Sequence, residues 1–157
     1  MKYDSIYQHN NIKSKNMKTR RQEDAIISTL DFERIMHLIN VTEEENPISI
    51  ENLQQLKRKV LTAKKVNPQE MLANIVTMGS LVEIKTDYDD FTFKIELVYP
   101  EFENVRENKV SVFSNLGTAI FLQKANDIIS YYTWNKEHTI KILNIFYQSE
   151  AAGDFNS

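Results

Sequence analysis

The stretch Phe91-Thr92-Phe93-Lys94-Ile95-Glu96-Leu97-Val98-Tyr99-Pro100 decides the fold. Phe91, Phe93, Ile95, Leu97 and Tyr99 alternate with Thr92, Lys94, Glu96 and Val98, which is the period of two expected of a half-buried strand. Pro100 ends the run, because proline has no N–H to give to a ladder. Upstream, Leu81-Val82-Glu83-Ile84-Lys85 predicts a partner strand, with polar Thr86–Asp90 as the turn between them. Downstream, Val110 and Val112 alternate with Ser111 and Phe113 in a third strand. Asn115 to Gln123 predicts a short helix carrying Leu116, Ala119, Ile120 and Leu122. Ile128 to Trp134 and Thr139 to Tyr147 add two strands around a turn at Asn135-Lys136-Glu137.

Before Met78 the period is helical instead. Ala25–Leu30 is a short β-prone stretch, and Asp31 has the chemistry of a helix N-cap. Phe32, Ile35, Met36 and Ile39 form one apolar face of a helix that should end near Asn40. Val41 to Pro47 reads as a turn, since Pro47 stops helix continuation and three glutamates favour water. Ser49 is the expected cap of a second helix, with Ile50, Leu53, Leu56, Val60 and Ala63 as its apolar stripe and Asn67-Pro68 as its stop. Two such helices joined by a short turn pack as an antiparallel hairpin, or short coiled coil. The whole is an α+β chain: leader 1–24, helical hairpin 25–70 and a mostly antiparallel sheet domain with one short helix, 71–157.

Composition narrows the chemistry. The 157 residues contain no cysteine, which removes disulfides, thiolate zinc sites and cysteine nucleophiles and fits a reducing cytoplasm. The three glycines are scattered, so neither a phosphate loop nor a dinucleotide fingerprint is present. No apolar run approaches the ~18 residues of a membrane helix, and the leader lacks a secretory pattern. Net charge is −3, unevenly spread. Lys2, Lys13, Lys15, Lys18, Arg20 and Arg21 outnumber Asp4, Glu23 and Asp24 in residues 1–24, so the leader is basic and the rest acidic. An acidic body is a poor non-specific binder of nucleic acid. The leader can still touch nucleic acid, although its composition equally suits a disordered, solvated segment.

Glu43, Glu44 and Glu45 are the most functional-looking cluster. Carboxylates on a projecting tip can hold a hard cation such as magnesium, but consecutive turn residues do not converge, and a solvated acidic turn needs no ligand. His9, His37 and His138 have no ligand-spaced partners. Tyr131, Tyr132, Trp134, Phe146 and Tyr147 suit core packing, with a stacking platform as the other reading. No residue set forms a nucleophile, base and orienter. The expectation is no cofactor and no small-molecule substrate.

One stretch carries a resemblance. Lys109-Val110-Ser111-Val112-Phe113-Ser114-Asn115-Leu116-Gly117-Thr118-Ala119 resembles the strand–loop–helix signature of the bacterial Gre transcription elongation factors. Leu30–Ile35, Ile75–Ser80, Leu97–Pro100 and Tyr147–Phe155, the last containing Glu150-Ala151-Ala152-Gly153-Asp154, are similar to a short-hairpin branch of that family, the regulators of nucleoside diphosphate kinase. The resemblance implies an FKBP-like C-terminal domain and RNA polymerase as partner. It also implies a docking surface at Phe113, Ser114, Asn115, Leu116 and Gly117, seated at the rim of the polymerase secondary channel. Asn115 stands where the family usually has proline, and Gln123 where many relatives have glycine. In the family a long hairpin carries acids to the catalytic magnesium and stimulates transcript cleavage. Here the longer helix should span only ~20–25 Å, so occupancy without cleavage is expected. Cleavage through Glu43–Glu45 and FKBP-like prolyl isomerisation are the alternatives.

Overall fold

The computed structural model describes residues 25–45 and 51–154. The basic leader with His9, the Pro47 stop, the Ser49 cap and Ile50 lie outside these residues. In chain order the elements are β1 (Ile26–Ser28), α1 (Thr29–Glu45), α2 (Glu51–Thr62) and β2 (Lys64–Val66), followed by β3 (Leu81–Thr86), β4 (Thr92–Val98), β5 (Lys109–Ser111), α3 (Asn115–Ile120), β6 (Ile128–Thr133) and β7 (Lys136–Tyr147).

The helical part differs from expectation in three ways. The cap of α1 is Ser28, whose Oγ accepts from the Asp31 amide at 3.1 Å, and Asp31 lies inside the first turn, buried. The helix does not end near Asn40 but continues through Glu45. Nothing between Asn40 and Glu45 breaks a helix, and glutamate is a good helix former, so the acidic run extends α1. The third difference is β2, which pairs in parallel with β1 (Ile26 with Lys64, Ile27 with Lys65, Ser28 with Val66). That pairing sets the start of α1 beside the end of α2. Ile35 and Ile39 of α1 and Leu53, Leu56 and Val60 of α2 are buried in one cluster.

The sheet has strand order β5-β4-β3-β7-β6. Every neighbouring pair is antiparallel except β4 and β5. Two 3-10 turns, Pro100–Phe102 and Val105–Glu107, carry the chain back so that β5 runs parallel to β4. The β3–β7 register shifts twice, between Leu81 and Val82 and between Glu83 and Ile84. Such bulges bend and twist a sheet. Its inner face carries Val82, Ile84, Ile95, Leu97, Ile140 and Ile142, all buried with the α1–α2 cluster and with Ile120, Phe121 and Leu122. Helices and sheet therefore share one core. Phe91 departs from the expected face: β4 starts at Thr92, and Phe91 is exposed with its ring stacked on Phe93. The last hairpin turns at Trp134-Asn135, not at residues 135–137. Both turn residues have positive φ, 49° and 65°, as a two-residue hairpin loop of the I′ kind requires.

Candidate functional site

The loop between β5 and α3 is built by two serines and a glycine. The Ser111 Oγ accepts from the Phe113 amide at 3.0 Å. The Ser114 Oγ donates to the Ser111 carbonyl at 2.7 Å and accepts from the Gly117 amide at 3.0 Å, which makes Ser114 the N-cap of α3. Gly117 is required by close approach: a Cβ there would lie 1.9 Å from the Ser111 carbonyl oxygen. Gly117 is buried. Phe113 and Leu116 are partly buried against the core, leaving Asn115 as a half-exposed residue of the loop. The helix is shorter than read from sequence, because Leu122 takes a left-handed φ of 64° and its amide leaves to the Val76 carbonyl at 2.8 Å.

Asn115 opens onto a groove of about 920 Å³ between α2, α3 and β6. Lys59 of α2 closes one wall. Its Nζ donates to the Thr118 and Ala119 carbonyls at 2.9 and 3.0 Å, a cation at the carbonyl end of α3. Burial pulls the Lys59 pKa down to about 7, and the Asp127 carboxylate opposes that shift. Across the groove stand Tyr131, Tyr132 and Trp134. Core packing was the expected role of the C-terminal aromatics, and four of them contradict it: Tyr132, Trp134, Phe146 and Tyr147 are exposed. Trp134 sits in the turn and not in the strand, and Tyr132 lies on an edge strand, so the inner face of the sheet never covers them. Tyr131 stacks on His138 at 5.0 Å.

Glu43, Glu44 and Glu45 form the last turn of α1. Glu43 pairs with Lys57 of α2 at 2.8 Å, while Glu44 and Glu45 are exposed. Among the described residues no group of three histidine, aspartate or glutamate side chains is placed to hold a metal.

A second acidic group, not read as a site from the sequence, lies at the opposite end of the same helix. Asp31 and Glu150 are both buried, and their carboxyls are in hydrogen-bond contact. Two carboxyls in such contact require a proton between them. Burial, reinforced by the Glu150 charge, pushes the Asp31 pKa up to about 7. The Met78 amide at 3.3 Å and the Tyr99 hydroxyl at 3.4 Å donate to Asp31 and oppose the shift. Glu150 accepts from Thr77 Oγ1 at 2.7 Å and from Ser28 Oγ at 3.2 Å. The preceding residues extend the clamp. Gln148 Nε2 donates to the Leu72 and Ile75 carbonyls, and Ser149 Oγ donates to the Met78 carbonyl. Ser149 Oγ also lies where Gly79, at φ 75°, leaves room: a Cβ there would come within 2.6 Å of it. The Gln148–Glu150 run stands out in the sequence, but only the three-dimensional pairing assigns it this role.

Comparison with known proteins places this geometry. Residues 71–147 match the family model "Transcription elongation factor, GreA/GreB, C-term". The chain is 30% identical over 131 residues to the regulator of nucleoside diphosphate kinase of Escherichia coli strain K12, covering 83% of this chain and 94% of that protein. The Shigella flexneri protein of the same name matches to the same extent. Among solved structures, a prokaryotic transcription elongation factor GreA/GreB from Nitrosomonas europaea superposes with a TM-score of 0.66 at 25% identity, covering 79% of this chain and 98% of that one.

Proposed function

From the premise that this chain belongs to the family of the regulators of nucleoside diphosphate kinase and carries a GreA/GreB C-terminal domain, we propose that it is a non-enzymatic RNA polymerase-binding regulator of transcription. It docks at the rim of the secondary channel through an FKBP-like sheet domain, with Phe113–Gly117 as the contact loop, and acts in the cytoplasm. The two helices form a short antiparallel hairpin that enters the channel. The observation that carries the reading is helix length. With 17 and 12 residues, α1 and α2 span only ~25 and ~18 Å. Glu44 and Glu45 at the end of α1 then stop short of a catalytic magnesium deep in the channel, and the activity is occupancy in competition with cleavage factors. No helix among the described residues is long and apolar enough to cross a membrane.

Retention on immobilised core polymerase tests this. Wild type should be retained at micromolar concentration. Asn115→Arg, at the half-exposed loop position, should bind about tenfold more weakly with an unchanged circular dichroism spectrum. Folded wild-type protein that is not retained would remove the proposal.

A further inference from the structure

The two edges of the sheet are not alike. At one edge, β5 is three residues long, begins with Lys109 and is partly covered through the Asn104–Lys109 bridge. Short length, lysine and coverage are the usual protections of a strand edge. At the other edge, β6 is Ile128-Ile129-Ser130-Tyr131-Tyr132-Thr133, six residues with no charge and no proline. It carries none of the sequence protections.

Among the described residues no strand pairs with the outer edge of β6, and the groove runs along that edge. Successive side chains of a strand point to opposite faces. Ile129, Ser130, Tyr131 and Tyr132 all line the groove, and four consecutive residues can share one groove only along the edge itself. The ladder sets which backbone groups face it. Thr133 and Lys136 flank a two-residue turn and are therefore a hydrogen-bonded pair, as are Tyr131 with His138 and Ile129 with Ile140. The N–H and C=O groups of Ile128, Ser130 and Tyr132 point outward. The far wall is polar, and Arg58 is its exposed cation: Lys59 is turned to the α3 carbonyls near Asp127, and Glu51 lies two helical turns from Arg58 on α2. Trp134 caps the end, fully exposed, in a left-handed conformation unusual for so bulky a residue.

We propose that this groove accepts an extended acidic segment of a partner protein, which adds to β6 as a sixth strand of the sheet. The outward amides and carbonyls of Ile128, Ser130 and Tyr132 supply the ladder, alternate side chains of the guest rest on Tyr132 and Trp134, and Arg58 meets its carboxylates. The proposal stands apart from the polymerase reading, with which it shares Asn115 and one face of α2.

Trp134 is the single tryptophan of the chain, so its fluorescence reports this groove alone. Full-length protein is titrated with three blocked decapeptides: alternating valine and glutamate, alternating valine and lysine, and the glutamate peptide N-methylated at every second residue. Amide chemical shifts of Ile128, Ser130 and Tyr132 are followed in parallel. The glutamate peptide should give a saturable change. The lysine and N-methylated peptides should bind at least about tenfold more weakly, and Arg58→Glu should reverse the preference between glutamate and lysine. No saturable change with any peptide, or equal binding of the N-methylated one, overturns the proposal. A photo-crosslinker replacing Tyr132 tests the other occupants. Crosslinks in the free protein to a second copy, or to the chain's own leader, would assign the edge to that occupant and overturn it as well.

Discussion

Helix α1 has acids at both ends, in opposite physical states. At its start Asp31 is buried with Glu150, and four donors (the Met78 amide and the Ser28, Thr77 and Tyr99 hydroxyls) surround the pair. At its end Glu43 is half-buried beside Lys57, and Glu44 and Glu45 stand in water. The sequence draws the eye to the second group, because three adjacent glutamates look like a site. Desolvation decides otherwise: a carboxylate in water costs nothing, whereas a buried one must find a proton or donors. The buried pair ties the C-terminal segment to the start of α1, and the run at its end stays in solvent.

The comparison breaks first on pH. The folded-state pKa of Asp31 is raised from 3.8 to about 7, so the folded protein holds a proton that the unfolded chain releases. Between about pH 4 and 7 the contribution of Asp31 to stability therefore falls as pH rises, and above 7 it is flat. Asp31→Asn removes this titration and keeps an acceptor for one of the two donors, the Met78 amide on Oδ2 or the Tyr99 hydroxyl on Oδ1. Urea midpoints at pH 5, 6, 7 and 8 should show the variant gaining on wild type, by up to about 4 kcal/mol at pH 8. Parallel curves would say that the pair does not share a proton. Next in size, Thr77→Val strands one Glu150 oxygen and should cost about 1–3 kcal/mol in the same assay. Ser28→Ala removes both the cap of α1 and a donor to Glu150, for about 1–2 kcal/mol. At the other end the expected effect is smallest. Glu43→Gln breaks an ion pair whose partners are each about one-third exposed, and after solvent screening it should cost no more than about 0.5 kcal/mol. A larger loss at Glu43 than at Thr77 would invert the comparison.

How much was legible follows from the range of each signal. The alternation in β4 and the apolar stripes of both helices are local patterns, and the elements stand where those patterns lie. The end of α1 was misread because a glutamate run suits a helix as well as a turn, and only Pro47 is a breaker. Strand β2 was missed because Lys64-Lys65-Val66 has no strand pattern of its own; pairing with β1 makes it one. The loop residues around Ser114 were visible as a motif, yet their division into cap, close approach and half-exposed Asn115 needed the Ser111 carbonyl in three dimensions. Glu150 and its donor Ser28 are 122 residues apart, beyond any periodicity argument. The β6 edge was visible as a strand, but its place at the end of the sheet order was not.

The central claim is that this protein occupies polymerase without cleaving transcript. Stalled elongation complexes incubated with wild-type protein, and with a Glu43/Glu44/Glu45→Gln variant, test it most directly. The account predicts that both proteins bind and that neither releases 3′ fragments above background, while both slow a cleavage factor added afterwards. Cleavage by wild type that is lost in the glutamine variant would contradict it.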